Sequence, residues 1–122
     1  MNAALRARID ELHALRDGWF HGGGRAPGGD FLDWLRDSLA AAYSRDIAVC
    51  EILPINNGGL RLNWFGPGGA FAADVYFPRK QCVVYGVNRN GFLEGPAVID
   101  VSTGWRRVFI HVHDFCGGGP VP

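Results

Sequence analysis

Neither sign of charge predominates in this chain of 122 residues, because twelve lysines and arginines offset twelve aspartates and glutamates. The long-range field has no sign that would draw in a polyanion, so nucleic-acid binding is disfavoured. Cysteine is scarce as well. Cys50, Cys82 and Cys116 are odd in number and far apart, and no Cys-x-x-Cys knuckle occurs. A disulfide framework is therefore not expected, and the thiols read as reduced and mostly buried. Long apolar runs are also missing: nothing approaches the ~20 residues of a membrane span. Met1 to Arg16 alternate charge with aliphatics instead of carrying the apolar centre of a signal peptide. A cytoplasmic protein without membrane contact is the expectation. No repeat at a solenoid period is visible.

What is present suits one globular unit. Apolar residues make up 48% of the chain and charged ones 20%, with four tryptophans to fill an interior. The length allows one hydrophobic core and is short for two. We expect a domain over residues 1–116 and a flexible tail over 117–122, since Gly117-Gly118-Gly119-Pro120 sustains neither helix nor strand.

Periodicity places the elements. Leu5, Ile9, Leu12 and Leu15 recur at helical spacing between Asn2 and Asp17, with Gly18 where a left-handed residue commonly closes a helix. A glycine-rich connector follows, in which Trp19 and Phe20 are expected to pack beneath the loop. A second helix is expected from Asp30, acting as cap, to about Arg45, burying Phe31, Leu35, Leu39 and Ala42 with Trp34 and Tyr43 at the stripe's edges. Beyond Asp46, short β-branched and aromatic runs broken by glycine and proline read as an antiparallel meander. Its strands are expected over Ile47–Leu53, Leu60–Trp64, Ala70–Phe77, Cys82–Val87 and, more weakly, Ala97–Val101. Turns fall at Asn56-Asn57-Gly58-Gly59, Gly66-Pro67-Gly68-Gly69 and Asn88-Arg89-Asn90-Gly91. Residues 104–115 fit either period. Val108, Ile110 and Val112 alternate, while Trp105, Val108, Phe109, Val112 and Phe115 are helically spaced with Ser102 or Thr103 available as cap, and the helix is preferred.

Candidate chemistry is thin. Gly22-Gly23-Gly24-Arg25 lacks the Lys-Ser/Thr pair and preceding strand of a phosphate loop. Ser38, Ser44 and Ser102 have no nucleophile elbow around them. Asp30, Asp33 and Asp37 sit near a helix start, where the dipole and solvent account for them. His111-x-His113-Asp114, with Cys116 nearby, is the one local cluster of metal-competent side chains. On a strand both imidazoles would share a face, but on a helix they diverge by roughly 200°. We expect no catalytic residue, no metal and no cofactor, and keep as the alternative a small metal-dependent hydrolase or nuclease-like enzyme using His111, His113 and Asp114. A small-ligand pocket between helices and sheet is a third reading.

A polar and aromatic surface remains. Arg61 and Asn63 face away from Leu60, Leu62 and Trp64, and Asp74 with Tyr76 is expected to face the same way on the next strand. With Trp19, Phe20, Arg25 and Trp34 they make up the candidate partner-binding residues, since interfaces favour large rings and arginine.

Two segments also carry a resemblance. Gly18-Trp19-Phe20-His21-Gly22-Gly23-Gly24-Arg25-Ala26-Pro27 and Asn57-Gly58-Gly59-Leu60-Arg61-Leu62-Asn63-Trp64 resemble a loose group of small, mostly uncharacterised bacterial proteins. Members have Trp-Asp-Gly-x-Gly-x-x-Ala-Pro after an N-terminal helix and a later Gly-x-x-x-Leu-x-Trp strand; this chain has Phe20-His21 where they have Asp-Gly. The resemblance spans residues 5–101 and implies a helical hairpin followed by a curled antiparallel sheet, with no catalytic residues to carry over. The expectation is an α+β fold, with two N-terminal helices on a four- to five-stranded meander and a C-terminal helix. The chain is expected to be a non-catalytic bacterial or phage protein that works by binding a partner protein, as an antitoxin, immunity or anti-defence inhibitor does. A homodimer stays open.

Overall fold

Leu5, Ile9 and Leu12, spaced four and three apart, point the same way and are all buried, which fixes the first helix, α1 (Ala3–His13), against the rest of the chain. The computed structural model describes residues 2–43, 47–88, 90, 91 and 93–117. Asn2 caps α1 by accepting from the Ala4 amide at 2.7 Å. The helix stops well before Gly18, because the amides of Ala14 and Leu15 tighten onto the carbonyls of Glu11 and Leu12 at 3.1 Å. The expected end at Asp17 is thereby corrected. Arg8 reaches across and donates from Nε to the Ile52 carbonyl at 2.9 Å.

The second helix, α2 (Gly29–Ala42), begins one residue earlier than expected. Gly28 is its cap and Asp30 lies inside the first turn, where a carboxylate complements the dipole without capping. Its expected end at Arg45 falls outside the described residues, as do Ser44, Arg89 and residues 118–122 of the tail.

Five strands follow in a plain meander: β1 (Glu51–Pro54), β2 (Leu60–Gly66), β3 (Gly69–Tyr76), β4 (Gln81–Asn88) and β5 (Leu93–Asp100), all antiparallel and in sequence order across the sheet. The sequence placed each strand with ends shifted by a few residues, most at β1, which starts at Glu51 instead of Ile47, and at β5, which starts at Leu93 instead of Ala97. The last segment is a helix, α3 (Arg106–Cys116), burying Val108, Phe109, Val112, Phe115 and Cys116. Neither Ser102 nor Thr103 caps it: Trp105 occupies the cap position and no side chain bonds the first turn.

One face of the sheet carries Ile52, Leu60, Leu62, Trp64, Phe71, Ala73, Val75, Cys82, Val84 and Ile99, and this face meets the helices in one buried cluster. Helix α3 lies over β2, β3 and β4, while α1 packs on α2 and β1. The approach of α3 is close. A Cβ at Gly86 would meet the Phe115 ring at 2.5 Å, so only glycine lets that ring lie flat on β4. Between α2 and α3, Trp34 joins a run of rings with Phe31, Phe77 and Trp105, and Trp105 Nε1 donates to Ser38 Oγ at 3.0 Å.

Candidate functional site

With all three helices on one side, the strand alternation leaves the other side of the sheet uncovered. Arg61, Asn63 and Phe65 of β2 point to it, as do Ala70, Ala72, Asp74 and Tyr76 of β3, opposite the buried residues of each strand. The register sets Arg61 beside Asp74, Asn63 beside Ala72 and Phe65 beside Ala70. Large apolar side chains stand out from this face: Phe65 is 63% exposed and Val98 62%, joined by Leu53 and Val87. Phe65, Ala70 and Val87 lie in one cross-strand row, and Val83 and Val98 pair in another, so the exposed hydrocarbon is grouped and not scattered.

The face has one deeply set charge. Asp74 is 5% exposed, and both its oxygens are taken by the Arg61 fork, Nε to Oδ1 at 2.6 Å and Nη2 to Oδ2 at 2.9 Å. These bonds to Asp74 hold the guanidinium above its ordinary pKa, against a smaller desolvation that lowers it. Asn63 donates to Glu51 at 3.2 Å.

The glycine-rich connector adjoins this face at β1. His21 and Gly22 have φ of 53° and 85°, and Phe20 and Gly23 exchange backbone bonds at 2.8 Å, the geometry of a two-residue hairpin with both central residues left-handed. That turn holds Phe20 outward at 47% exposed, so the expectation that it packs beneath the loop is corrected. Trp19 is half-buried and donates from Nε1 to the Arg25 carbonyl at 3.0 Å. Ala26 donates to Asp17 Oδ1 at 2.8 Å, and the Arg25 amide to the Asn56 carbonyl at 2.8 Å. The last of these ties the connector to the β1–β2 turn, and the others brace the connector itself. Trp19, Phe20, Leu53 and Arg61 consequently line a single cleft of about 260 Å³.

Of the candidate residues, Arg61, Asn63, Asp74 and Tyr76 share the open face, Trp19 and Phe20 border it, and Arg25 and Tyr76 line a common hollow at its end. Trp34 is elsewhere, on the helical side, with the Lys80 ammonium 5.8 Å above its ring. Leu53, Phe65, Val87 and Val98 escaped sequence reading. Phe65 follows buried Trp64, one residue past the expected strand, and Val98 precedes buried Ile99 inside its expected strand, so carrying the alternation through both would have found them.

The metal-competent cluster is dispersed by the helix. His111 stacks on Phe71, centroids 5.6 Å apart, whereas His113 is exposed beside Asp114 at 3.9 Å. Among the described residues no three His, Cys, Asp or Glu side chains gather closely enough to hold an ion. A groove of about 710 Å³ runs between α2 and α3 over Trp105, Phe109 and Ile110 on the helical side.

The thiols are buried and free of disulfides. Burial pushes Cys50 up to about 11 and Cys82 up to about 12, so both stay protonated and poor nucleophiles at neutral pH. Native protein is expected to resist maleimide labelling until denatured, as intact-mass measurement would show. The folded chain keeps thiol protons that the unfolded chain releases from about pH 8.5 upward. Stability is thus fully present below that pH and declines as pH rises toward 11 to 12, the folded values. Urea midpoints at rising pH, with Cys82→Ala flattening the decline, check this.

Comparison with known protein families, with curated proteins and with solved structures finds no match for this chain. No described helix is long and apolar enough to cross a membrane.

Proposed function

We propose that this chain is a non-catalytic protein-binding domain that acts by covering a surface of a partner protein, the mode of action of an antitoxin, an immunity protein or an anti-defence inhibitor. The observation that carries the reading is the uncovered sheet face, with Phe65 63% and Val98 62% exposed around a carboxylate whose charge is already neutralised. An interface core needs such a patch: apolar, short of unpaired charge, and bordered by large rings. Trp19 and Phe20 supply the border.

Affinity capture from extracts of the native host tests it. Phe65→Asp, beside the β2–β3 turn, and Val98→Asp, on edge strand β5, place a charge on two sides of the patch and should cut capture of the partner tenfold or more. Because both side chains are already in solvent, unfolding free energy should shift by no more than about 0.5 kcal/mol. Ile110→Asp, on the helical side, is the control. Capture that survives both sheet variants, or that is lost only with Ile110→Asp, overturns the reading.

A further inference from the structure

The relief of the uncovered face contains both halves of a contact. Phe65 on β2 stands out as a ridge, and beside it on the central strand Ala70 and Ala72 leave a trough, closed on the far side by Val87 and Tyr85 of β4. A knob and a hollow within one patch are what an isologous two-fold contact requires, because the same surface must supply both. We infer that the free protein stores this face against a second copy of itself, the two sheets stacking face to face with Phe65 of each copy entering the alanine trough of the other. The inference rests on the reading above, that this face is an interface, and adds its regulation: self-association and partner binding compete for one surface.

Three further observations favour a second copy. The chain carries twelve charges of each sign, and in the middle of the face Arg61 and Asp74 are held in one bidentate pair, so no unpaired charge stands there against a second copy, while the carboxylates of Glu51 and Asp100 lie out on the edge strands β1 and β5. The sheet edges are poorly suited to pairing. β1 is four residues ending in Pro54, and β5 contains Pro96, so strand-to-strand addition at either edge is interrupted and stacking is the open route. The area is adequate. Five strands spaced ~4.8 Å, with a rise of ~3.3 Å per residue, present about 500 Å² per copy, hence about 1,000 Å² for the pair. That lies at the lower limit of specific interfaces, the size class of weak and transient contacts, which a partner can displace.

Sedimentation equilibrium of the whole chain up to about 200 μM tests this. Wild type should move from monomer to dimer across that range. Phe65→Asp and Ala72→Lys should remain monomeric at every concentration while keeping the wild-type near-ultraviolet circular dichroism, which reports the buried tryptophans. A wild type that stays monomeric overturns the inference, as does a dimer that neither variant weakens. The two ideas fail separately. A monomeric wild type whose partner capture is still lost in Phe65→Asp removes the dimer alone, whereas a Phe65-dependent dimer with Phe65-independent capture removes the partner reading alone.

Discussion

Trp64→Ala is expected to lower the free energy of unfolding by about 3–5 kcal/mol, the largest effect of any single truncation in the sheet. Trp64 has no solvent exposure and packs against Phe71 and Phe109, with ring centroids 6.3 Å away in each case. Its indole also has a polar task. Nε1 donates to Tyr43 Oη at 2.9 Å, and the same oxygen accepts from the Cys50 amide at 3.2 Å and donates to the Ala48 carbonyl at 2.8 Å. One phenol thus ties the end of α2 to the start of β1 and the middle of β2, and burial raises its pKa above the ordinary value. Trp64→Phe keeps most of the volume but drops the donor, and should cost about 1–2 kcal/mol. Combined with Tyr43→Phe it should cost less than the two single changes together, because the shared bond is lost only once. Urea titration followed by circular dichroism measures all three. A loss under about 1 kcal/mol for Trp64→Ala would contradict the buried geometry.

Much of this frame was legible because burial imposes periodicity. Leu60, Leu62 and Trp64 alternate, and Leu5, Ile9 and Leu12 step by helical turns, so element type followed from side-chain spacing alone. At residues 104–115 both periods were present, and tertiary packing decides between them. The helix puts Val108, Val112 and Phe115 on the sheet and leaves Ile110 half exposed, whereas a strand would have set Phe109 opposite Val108. Other features depended on backbone geometry that composition does not carry. Glycine at position 18 read as a helix terminator, yet its φ of 91° serves the connector, where its amide donates to the Gly24 carbonyl at 2.8 Å. Phe20 read as buried because it is apolar, but a hairpin turn with two left-handed residues directs it outward. The uncovered face was seen through its polar members, Arg61, Asn63, Asp74 and Tyr76. Its apolar members went unnoticed because the alternation was stopped at Trp64 and was not carried through the weaker strand around Val98.

Arg61→Met is expected to cost about 2–4 kcal/mol, and Asp74→Ala only about 1, although the two residues form one ion pair. The asymmetry follows from depth. The Asp74 side chain is 8% exposed and the Arg61 side chain 46%, so removing the arginine strands a carboxylate below the surface, while removing the aspartate frees a guanidinium that turns to water. Arg61→Met combined with Asp74→Leu removes both charges together, leaves neither unpaired, and should recover most of the stability lost in Arg61→Met alone. Differential scanning calorimetry of the four proteins would show the order. A result in which Asp74→Ala is the more harmful single change would mean that the arginine, not the carboxylate, depends on its partner. The double variant also explains why an ion pair stands where hydrocarbon would be as stable. Without it, Leu53, Phe65, Val87 and Val98 would surround a further apolar centre, and the face would bind any greasy surface in any orientation. The double variant should therefore match wild type in melting temperature while aggregating at concentrations where wild type stays dispersed, a difference that light scattering reads directly. In the proposed interface the pair would set the register of a docked partner, which would have to leave the Arg61 fork on Asp74 or offer a carboxylate of its own in exchange.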